Sequence, residues 1–441
     1  MNAKLQALSK NLDGTLHFDQ LLKTLYATDA SVYRILPLAV AYPKTVKDII
    51  KLIDFAKNNK TSLIPRTAGT SLAGQCVGSG IVVDVSKHFN KIISLDKNNK
   101  TVTVQPGVVR DQLNNYLKPF GLFFGPNTST SNRCMIGGMV GNNSSGTTSI
   151  KYGVTRDKVI QLKTILSDGS EAVFNSKTKS EIQQLKSNNT LEANIYKVLD
   201  EIISSDETVN EIKNNFPKPE IHRRNTGYAI DELIEKEDIN VAKLLSGSEG
   251  TLAFTTEITL QLDALPPKHR VMVAMHFKTI EDCLNAVKPA MQHDLFNCEM
   301  MDKTILDCTK ANKTQQENRY FITGDPMAIL MCEVRANTLT DAKNKANALI
   351  TDIEKHNLSY DNPILIEDDI DKANNLRSAG LGLLGNIVGD KKAVACIEDT
   401  AVTIDDLANY INDFTALMKH YNQNAVYYAH AGAGELHLRP I

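Results

Sequence analysis

Residues 65–75 read PRTAGTSLAGQ and stand directly before an apolar, strand-like run at 81–85, IVVDV. Gly69 and Gly74 tolerate positive φ and let the backbone approach a ligand closely, while Thr70 and Ser71 add hydroxyls beside successive N–H groups. The run ends in no Lys-Ser/Thr pair and opens no helix with Gly-x-Gly-x-x-Gly, so neither a P-loop nor a Rossmann turn is indicated. We therefore predict a loop that binds a pyrophosphate through its backbone amides.

A second glycine-rich block lies at 125–153 and reads GPNTSTSNRCMIGGMVGNNSSGTTSIKYG. Between the two blocks, 92–95 and 101–105 are β-rich runs separated by the turn DKNNK, which predicts a hairpin. Such a hairpin would place both loops at one sheet edge, where a single long ligand would contact both. Either block alone is equally consistent with an ordinary surface loop, because Gly, Ser and Asn are common loop residues.

Five motifs carry a more specific signal when they are taken as a set. They are PRTAGTS at 65–71, PNT at 126–128, IGGMVGNNSSG at 136–146, KYG at 151–153 and GSEGTL at 247–252. This set resembles the FAD-linked oxidases of the vanillyl-alcohol oxidase type, and within them the D-lactate and D-2-hydroxyglutarate dehydrogenase branch. Shorter matches, TDASVY at 28–33 and RSAGLGLL at 377–384, extend the resemblance over nearly the whole chain.

The resemblance implies an FAD site whose pyrophosphate arm is the first loop. Many members of the family attach the flavin covalently to a histidine of that loop, where this chain has Thr70, so we expect noncovalent FAD. The cofactor-binding residues implied are Arg66, Ala68, Gly69, Thr70, Ser71, Gly74, Gln75, Pro126, Thr128, Gly137, Gly138, Asn142, Ser145, Gly146, Tyr152, Gly153, Glu249, Gly250 and Leu252.

Composition excludes several other classes of protein. The 441 residues exceed the roughly 250–300 at which single cores stop growing, so two or three domains are expected. A net charge of −2 with interspersed signs gives no basic surface for nucleic acid. Seven cysteines without a Cys-x-x-Cys pair argue against zinc ribbons, iron–sulfur ligation and disulfide frameworks, and favour a reducing compartment.

The N-terminus has no apolar core segment, and the longest apolar run, near 35–42, is shorter than the roughly 20 residues of a membrane span. We therefore expect no transmembrane segment, and a protein that is cytoplasmic or peripheral to the inner membrane.

The order of elements predicts an α+β chain. We expect a helical lead at 1–36, an FAD-binding domain at 37–267 with a helical excursion over about 175–240, and a substrate or cap domain at 268–441. The resemblance implies that the first domain is a p-cresol methylhydroxylase (PCMH)-type domain of two subdomains, and that the second is a ferredoxin-like plaited antiparallel sheet. Within the first, we predict a helix at 46–57 capped by Thr45, a hairpin over 159–174, and strand, turn, strand over 243–262.

In the second domain, strands are predicted at 271–277, 328–334 and 393–399, and helices at 280–291 and 339–356. An antiparallel sheet with helices on one face is the consistent arrangement.

The C-terminal run YYAHAGAGELHLRP at 427–440 predicts strand, loop, strand. If 431–434 is the loop, His430 pairs with Glu435 and Tyr428 with His437, which makes the two histidines diagonal neighbours roughly 7 to 8 Å apart. In one uninterrupted strand the odd spacing would place them on opposite faces. On spacing alone, two sheet histidines with ordinary hydrogen bonds stay the better interpretation.

The resemblance favours a metal site instead. The branch places two metal-binding histidines in His-x-Gly-x-Gly-x-Leu-His, which His430 and His437 match, and both are implied to be catalytic as well as ligands of zinc or manganese. Ala433 stands where that motif is usually acidic. The family's third ligand belongs to a Glu-His-Gly segment that is absent before the chain stops at Ile441, so we expect a truncated gene product without the C-terminal iron–sulfur part of related long forms.

Arg377 matches the branch's carboxylate-binding arginine, and a planar guanidinium suits an α-hydroxy carboxylate; a surface helix arginine is the alternative. Glu398 and Asp399 are further candidates, either as metal ligands or as partners of the histidines.

These features predict FAD-dependent oxidation of a D-2-hydroxy acid of the D-lactate or D-2-hydroxyglutarate type, with hydride transfer from C2 to the flavin and electrons passed to a quinone, a cytochrome or another carrier. One alternative is a truncated subunit that binds flavin without turnover. Another is an oxygen-using alcohol or sugar oxidase. A homo-oligomer stays open.

Overall fold

A computed structural model describes residues 1–224, 227–310, 312–387 and 389–441. The chain divides into two compact units. The first unit comprises Met1–Ser145, Val154–Pro217 and the described part of Asn225–Leu265, and the second comprises Gly146–Gly153, Lys218–Arg224 and the described part of Pro266–Ile441. In the part of the chain described, no helix combines the length and the apolar character needed to cross a membrane.

The strands are short in the first unit and longer in the second. In chain order they are β1 Thr15–His17, β2 Ala39–Tyr42, β3 Leu63–Arg66, β4 Ile81–Asp84, β5 Ile92–Asp96, β6 Thr101–Val104, β7 Leu122–Phe123, β8 Val159–Ile165, β9 Glu171–Phe174, β10 Ser176–Lys177, β11 Ile239–Asn240, β12 Phe254–Gln261, β13 Asp263–Ala264, β14 His269–Phe277, β15 Asn297–Asp302, β16 Ala328–Ala336, β17 Ser359–Asp361, β18 Ile364–Ile366, β19 Ile397–Ala401, β20 Ala425–His430 and β21 Glu435–Pro440.

The α-helices alternate with these strands. In chain order they are α1 Asn2–Asn11, α2 Gln20–Leu25, α3 Val46–Asn59, α4 Arg110–Leu117, α5 Ile136–Asn142, α6 Ser149–Tyr152, α7 Thr155–Lys158, α8 Lys179–Leu185, α9 Leu191–Ser204, α10 Asp206–Asn215, α11 Val241–Leu245, α12 Ile280–Ala290, α13 Lys303–Lys310, α14 Leu339–Glu354, α15 Asp368–Leu383 and α16 Leu407–His420.

Two principal sheets form the first unit. One has the order β1-β2-β4-β3, in which β4 is parallel to both β2 and β3, and the other is the antiparallel sheet β5-β6-β12-β8-β9. The hairpins predicted over 92–105 and 159–174 are confirmed as β5–β6 and β8–β9. Each sheet has its own hydrophobic core, so an α+β fold is confirmed for this unit.

Local sequence explains where α3 begins and what it buries. Thr45 Oγ1 accepts the Asp48 N–H at 3.2 Å, which confirms the predicted N-cap. Ile49, Leu52 and Ala56 recur at helical spacing and are buried, and Ile49 and Leu52 pack in the core of the first sheet. The helix therefore covers the strands that lead into the 65–75 loop.

The prediction of a strand beginning at 243 is wrong. Residues Val241–Leu245 form a helix, because the side chain of Asn240 accepts the Ala242 N–H at 3.0 Å and supplies an N-cap. Leu244 and Leu245 look strand-like in sequence but are buried on this short helix. The later part of the prediction is correct, since β12 spans Phe254–Gln261.

The second unit is built on one antiparallel sheet with the order β17-β14-β16-β15-β20-β21-β19, and β18 also pairs with β14. Alternate residues of β14 enter two different cores: Val271 and Val273 pack with α12, α14 and α16, whereas Met272 and Ala274 pack with α13 and α15. The expectation of helices on one face is therefore wrong. Both faces are covered, because β14 is apolar at successive positions and cannot leave either side in water.

Two strand predictions in this unit also need correction. The strand expected at 393–399 begins later, at Ile397, and ends at Ala401. Strand β15 was not predicted at all, although all six of its residues are buried, because Asn297, Glu299 and Asp302 break any apolar pattern.

Candidate functional site

The predicted pyrophosphate loop follows β3 in the first unit. Gly69 and Gly74 adopt φ of 66° and 74°, so both take the left-handed conformation that the sequence suggested. Ser71 Oγ accepts the Ala73 N–H at 3.1 Å, which tightens the turn. Arg66 folds back under the loop: its Nη1 donates to the Thr28 carbonyl at 2.8 Å, and its guanidinium lies 5.0 Å from the centre of the Tyr26 ring.

Gln75 joins the three glycine-rich segments of this unit. Its Nε2 donates to Glu249 Oε1 at 2.7 Å, and its Oε1 accepts from Asn142 Nδ2 at 3.0 Å and from Ser71 Oγ at 2.8 Å. The Glu249 N–H also donates to the Gly141 carbonyl at 2.8 Å. Segments more than 60 residues apart in sequence therefore meet at one side chain.

The same segments approach one another more closely than side chains would allow. A Cβ on Gly138 would collide with the Thr67 hydroxyl, and a Cβ on Gly250, whose φ is 73°, would lie 2.9 Å from the Pro65 ring. The result is a cradle lined by backbone and small polar groups, which fits the pyrophosphate of a dinucleotide better than it fits an apolar ligand.

The remaining predicted cofactor residues are divided between the two units. The first unit contains Arg66, Ala68, Thr70, Pro126, Thr128, Gly137, Ser145 and Leu252, and the second contains Gly146, Tyr152 and Gly153. Thr128 Oγ1 lies 3.1 Å from Cys134 Sγ, and the ring of Tyr152 packs edge-on against Phe296 at 5.9 Å between centroids.

The second unit contains the predicted C-terminal hairpin. Strands β20 and β21 pair so that His430 is opposite Glu435 and Tyr428 is opposite His437, which confirms the predicted register. A short helical turn, Ala431–Ala433, ends at Gly434 with φ of 66° and reverses the chain. The two histidines consequently share one face, with ring centroids 5.2 Å apart.

Each histidine has a carboxylate at its Nδ1 atom. His430 Nδ1 is 2.8 Å from Glu299 Oε2, and His437 Nδ1 is 2.7 Å from Glu398 Oε2 and 3.3 Å from Asp399 Oδ1. A carboxylate at Nδ1 fixes the tautomer and leaves Nε2 to bind a metal or a proton.

A bulge brings Glu398 and Asp399 to His437. The register of β19 against β21 shifts between Ile397 and Thr400, and Asp399 adopts φ of 56°. Burial alone raises the pKa of Glu398, but the hydrogen bond with His437 and the charges of His437 and Arg439 outweigh it and hold that pKa below its ordinary value. Glu398 therefore stays ionised as a partner of His437.

Glu299 is the central carboxylate of this site. It is 2% exposed, forms an ion pair with Arg377 and contacts Nδ1 of His430. Burial raises its pKa to about 7, against the opposing charges of Arg377, Arg223 and His437. Burial, together with the charges of Arg223, Arg377 and His437, holds the pKa of His430 well below its ordinary value, so its imidazole is neutral at pH 7.

Arg377 is a buried residue, so the alternative of a surface helix arginine is wrong. It is 5% exposed, its guanidinium stacks 4.1 Å from the centre of the Tyr428 ring, and its Nη2 donates to the Ala429 carbonyl at 3.4 Å. Stacking on an aromatic face orients the planar guanidinium of arginine.

A second buried arginine, Arg223, is present in the same unit. Its Nε pairs with Glu435, and both side chains are almost completely buried. Burial lowers the pKa of Arg223 to about 10, while the charges of Asp399 and Glu299 favour its protonated form.

His430, Glu435 and His437 suit a divalent metal. One ligand atom from each of these residues lies within 4.8 Å of the others, and Glu398, Asp399 and His437 form a second such group. Two imidazoles with one carboxylate form a donor set that zinc and manganese accept. Acidic groups beside the histidines are therefore Glu435 in the hairpin and Glu398 and Asp399 in β19. The sequence had suggested only the two residues of β19.

Comparisons with known proteins match two segments of the chain. Residues 37–174 match the family described as FAD binding domain, and 266–441 match FAD linked oxidases, C-terminal domain. The chain belongs to the FAD-linked oxidases. FAD is thus the cofactor that the sequence predicted.

Individual relatives of this FAD-linked oxidase span several activities. The chain is 31% identical to D-2-hydroxyglutarate dehydrogenase of Haemophilus influenzae, and the alignment covers 96% of the chain and 43% of that protein. The chain is 24% identical to D-lactate dehydrogenase [cytochrome] 1, mitochondrial, of Saccharomyces cerevisiae, and the alignment covers 91% of the chain and 59% of that protein. The chain therefore spans less than half the length of the D-2-hydroxyglutarate dehydrogenases it matches.

Solved structures support the fold. The FAD-linked oxidase superposes on p-cresol methylhydroxylase with substrate bound at a TM-score of 0.66 and 12% identity, covering 100% of this chain and 82% of that one. The predicted PCMH-type α+β fold is confirmed.

Sequence reasoning missed Glu299 and Arg223 in this FAD-linked oxidase. Glu299 lies 131 residues before His430, and its only signal was a carboxylate among the methionines of β15. Arg223 lies in the charged segment 175–240, and no motif or spacing in the sequence set it apart from the other charged residues there. Glu435 was used only to set the register of the hairpin.

Proposed function

We propose that this chain carries out FAD-dependent oxidation of a D-2-hydroxy acid, with His430, His437 and Arg377 at the reacting end of the substrate. The main support is the pair His430 and His437, in which each Nδ1 atom contacts a carboxylate. Glu435 lies beside the two rings, and the buried Arg377 pairs with Glu299, the carboxylate that contacts His430. FAD-linked relatives that oxidise D-2-hydroxyglutarate and D-lactate support this assignment.

Arg377 would bind the carboxylate at C1. Its guanidinium is positioned by Tyr428 and by Glu299, so the fork is already oriented before a substrate arrives. Charge-assisted bonds to a planar carboxylate are the strong kind of hydrogen bond, and an orienting stack reduces the entropy lost on binding.

His430 and His437 would hold zinc or manganese, with Glu435 or the Glu398–Asp399 pair as an acidic ligand. The metal would supply Lewis acidity toward the hydroxyl and carboxylate oxygens of the acid. The chain's own contribution is the orientation of the imidazoles, because Glu299 and Glu398 fix their Nδ1 atoms.

A proton must leave the C2 hydroxyl when the acid is oxidised. The imidazole of His430 is neutral at pH 7, so its Nε2 has a lone pair for a metal or for that proton. Glu299, which contacts the other nitrogen, stabilises positive charge on the ring.

The first unit would hold FAD, and the cofactor would supply the hydride-accepting chemistry that oxidation at C2 requires. The support for its location is the convergence of 65–75, 136–146 and 247–252 on Gln75. Thr70 offers no imidazole for a covalent bond, so we extend the proposal to noncovalent FAD.

Electrons would then pass to a quinone, a cytochrome or another carrier.

The seven cysteines are free thiols, which supports a reducing, cytoplasmic location.

The test is anaerobic titration of the FAD-loaded chain with D-lactate and D-2-hydroxyglutarate. We expect loss of the oxidised-flavin absorption with the D acids, none with the L enantiomers, and a slower reaction after chelation that zinc or manganese restores. Stoichiometric FAD binding without reduction by any D-2-hydroxy acid would contradict the proposal and favour an inert flavin-binding subunit. In a parallel assay under air, peroxide release without metal dependence would favour an oxygen-using oxidase.

A further inference from the structure

We infer that Arg223 is a second carboxylate anchor, and that the pocket selects a D-2-hydroxy dicarboxylate over a monocarboxylate. The inference rests on the proposed function and names the substrate class of the same site. Arg377 would take the C1 carboxylate, and Arg223 the carboxylate at the far end of the acid.

Arg223 has the burial of a binding residue. Its side chain is 5% exposed and that of its partner Glu435 is 1% exposed, although arginine is almost never fully buried without a specific reason. Glu435 is opposite His430 in the hairpin, so the pair joins Arg223 directly to the strand that carries the histidines.

The guanidinium of Arg223 is only partly satisfied. Glu435 takes the Nε edge, and within the described part of the chain the buried Nη1 atom has no hydrogen-bond partner. Arginine has five donors in a rigid fork, so a carboxylate on Nε orients the group and leaves the Nη donors for another acceptor. A buried donor of this kind is expected to have a partner in the working protein.

Two contacts place both arginines beside His430. Arg223 pairs with Glu435, which is opposite His430 in the hairpin, and Arg377 pairs with Glu299, which contacts His430 Nδ1. Each guanidinium has one protein carboxylate, Glu435 for Arg223 and Glu299 for Arg377, and its fork of five donors can also bond a second acceptor. A ligand with two carboxylates satisfies both.

Selectivity follows from the cost of leaving Arg223 unsatisfied. A site built to hydrogen-bond a polar group rejects an analogue that lacks the group, because buried donors are then left without acceptors. D-2-Hydroxyvalerate has a methyl group where D-2-hydroxyglutarate has its distal carboxylate, and it is otherwise a matched probe.

A purely structural role for Arg223 is the competing explanation, in which it only neutralises Glu435. That role would make both acids equally sensitive to substitution. Arg223→Lys separates the two roles, because lysine keeps a positive charge beside Glu435 but loses the planar fork.

The experiment measures KM and kcat for anaerobic turnover of D-2-hydroxyglutarate and D-2-hydroxyvalerate, with a soluble redox dye present to reoxidise the reduced FAD. Wild type, Arg223→Lys and Arg335→Lys are compared at matched FAD content. Arg335 pairs with Glu333 in β16 and stacks 3.7 Å from the Phe296 ring, so it is a matched arginine in the same unit.

We expect wild type to prefer the dicarboxylate by about 100-fold in kcat/KM or more. Arg223→Lys should raise KM for D-2-hydroxyglutarate about 10- to 100-fold, with KM for D-2-hydroxyvalerate unchanged. Arg335→Lys should leave the preference for the dicarboxylate intact.

Equal KM values for the two acids in wild type would overturn the inference while leaving the proposed function standing. So would an equal loss for both acids in Arg223→Lys. No flavin reduction by either acid would overturn the proposed function itself, and the inference with it.

Discussion

At the scale of single residues, Glu299 decides how His430 is presented. Its carboxylate contacts His430 Nδ1 at 2.8 Å and pairs with Arg377, so one buried group positions two proposed substrate-side residues. We expect Glu299→Gln to lower zinc or manganese affinity and substrate-driven flavin reduction about 10- to 100-fold, the usual cost of losing a partner of a metal-binding histidine. FAD content should change little, because Glu299 lies in the second unit.

Calorimetry of metal binding and a flavin spectrum measure these effects. The control is Glu171→Gln, which removes an exposed partner of Lys163 in the first unit and should change neither quantity. Wild-type metal affinity in Glu299→Gln would show that Glu299 does not position His430.

Asp302 gives a pH-dependent prediction of stability. It accepts the Ile305 and Tyr427 N–H groups, each at 2.9 Å, and burial raises its pKa to about 6 from an ordinary 3.8. Between those values the folded protein binds a proton that the unfolded chain has lost, so this group's contribution to the free energy of unfolding falls as pH rises from about 4 to 6.

The measurement is urea unfolding of wild type and Asp302→Asn at pH 4, 5, 6 and 7. The stability of wild type relative to the variant should fall with rising pH by up to about 3 kcal/mol and then level off. A difference that is constant over this range would mean that Asp302 does not hold a proton in the folded state.

At the scale of elements, the C-terminal hairpin sets the histidine geometry. Gly434 reverses the chain at φ of 66°, and a Cβ there would collide with the Val402 carbonyl. We expect Gly434→Ala to destabilise the protein by about 1–3 kcal/mol, since a side chain in this conformation is strained, and to weaken metal binding while FAD stays bound.

Gly382→Ala is the control for that prediction. Gly382 lies in α15, and a Cβ there would meet no atom within 4 Å, so alanine should be neutral or stabilise the helix by up to about 1 kcal/mol. Denaturant midpoints compare the two variants. Equal midpoints for Gly434→Ala and wild type would show that the turn tolerates a side chain.

The elements also show how far the sequence could predict this protein. The register of β20 and β21 followed from the spacing of Gly432 and Gly434, because a short turn fixes which residues are opposite each other. The helix Val241–Leu245 could not be recognised, since its cap is one side-chain bond of Asn240. Glu299 was beyond reach because its partners are 78 and 131 residues away, and only tertiary pairing of β15 with β20 joins them.

At the scale of the whole molecule, the first unit contributes the cradle and the second contributes the histidine and arginine cluster. The three segments of the cradle are held by one glutamine and by backbone contacts, and Thr70 in the first loop offers no imidazole for a covalent bond. FAD should therefore be held by noncovalent contacts alone, and its binding should stabilise the fold of the unit that it joins.

This predicts that acid precipitation releases all the flavin into the supernatant. It also predicts a melting temperature that rises with free FAD, because a ligand at 100 times its Kd adds about 2.7 kcal/mol to the free energy of unfolding. Riboflavin, which lacks the pyrophosphate, is the matched control and should give a far smaller rise, since the cradle around Gln75 is built from small groups and backbone amides. Flavin retained in the precipitate would contradict noncovalent binding, and equal stabilisation by riboflavin would mean that the loop at 65–75 does not bind the pyrophosphate.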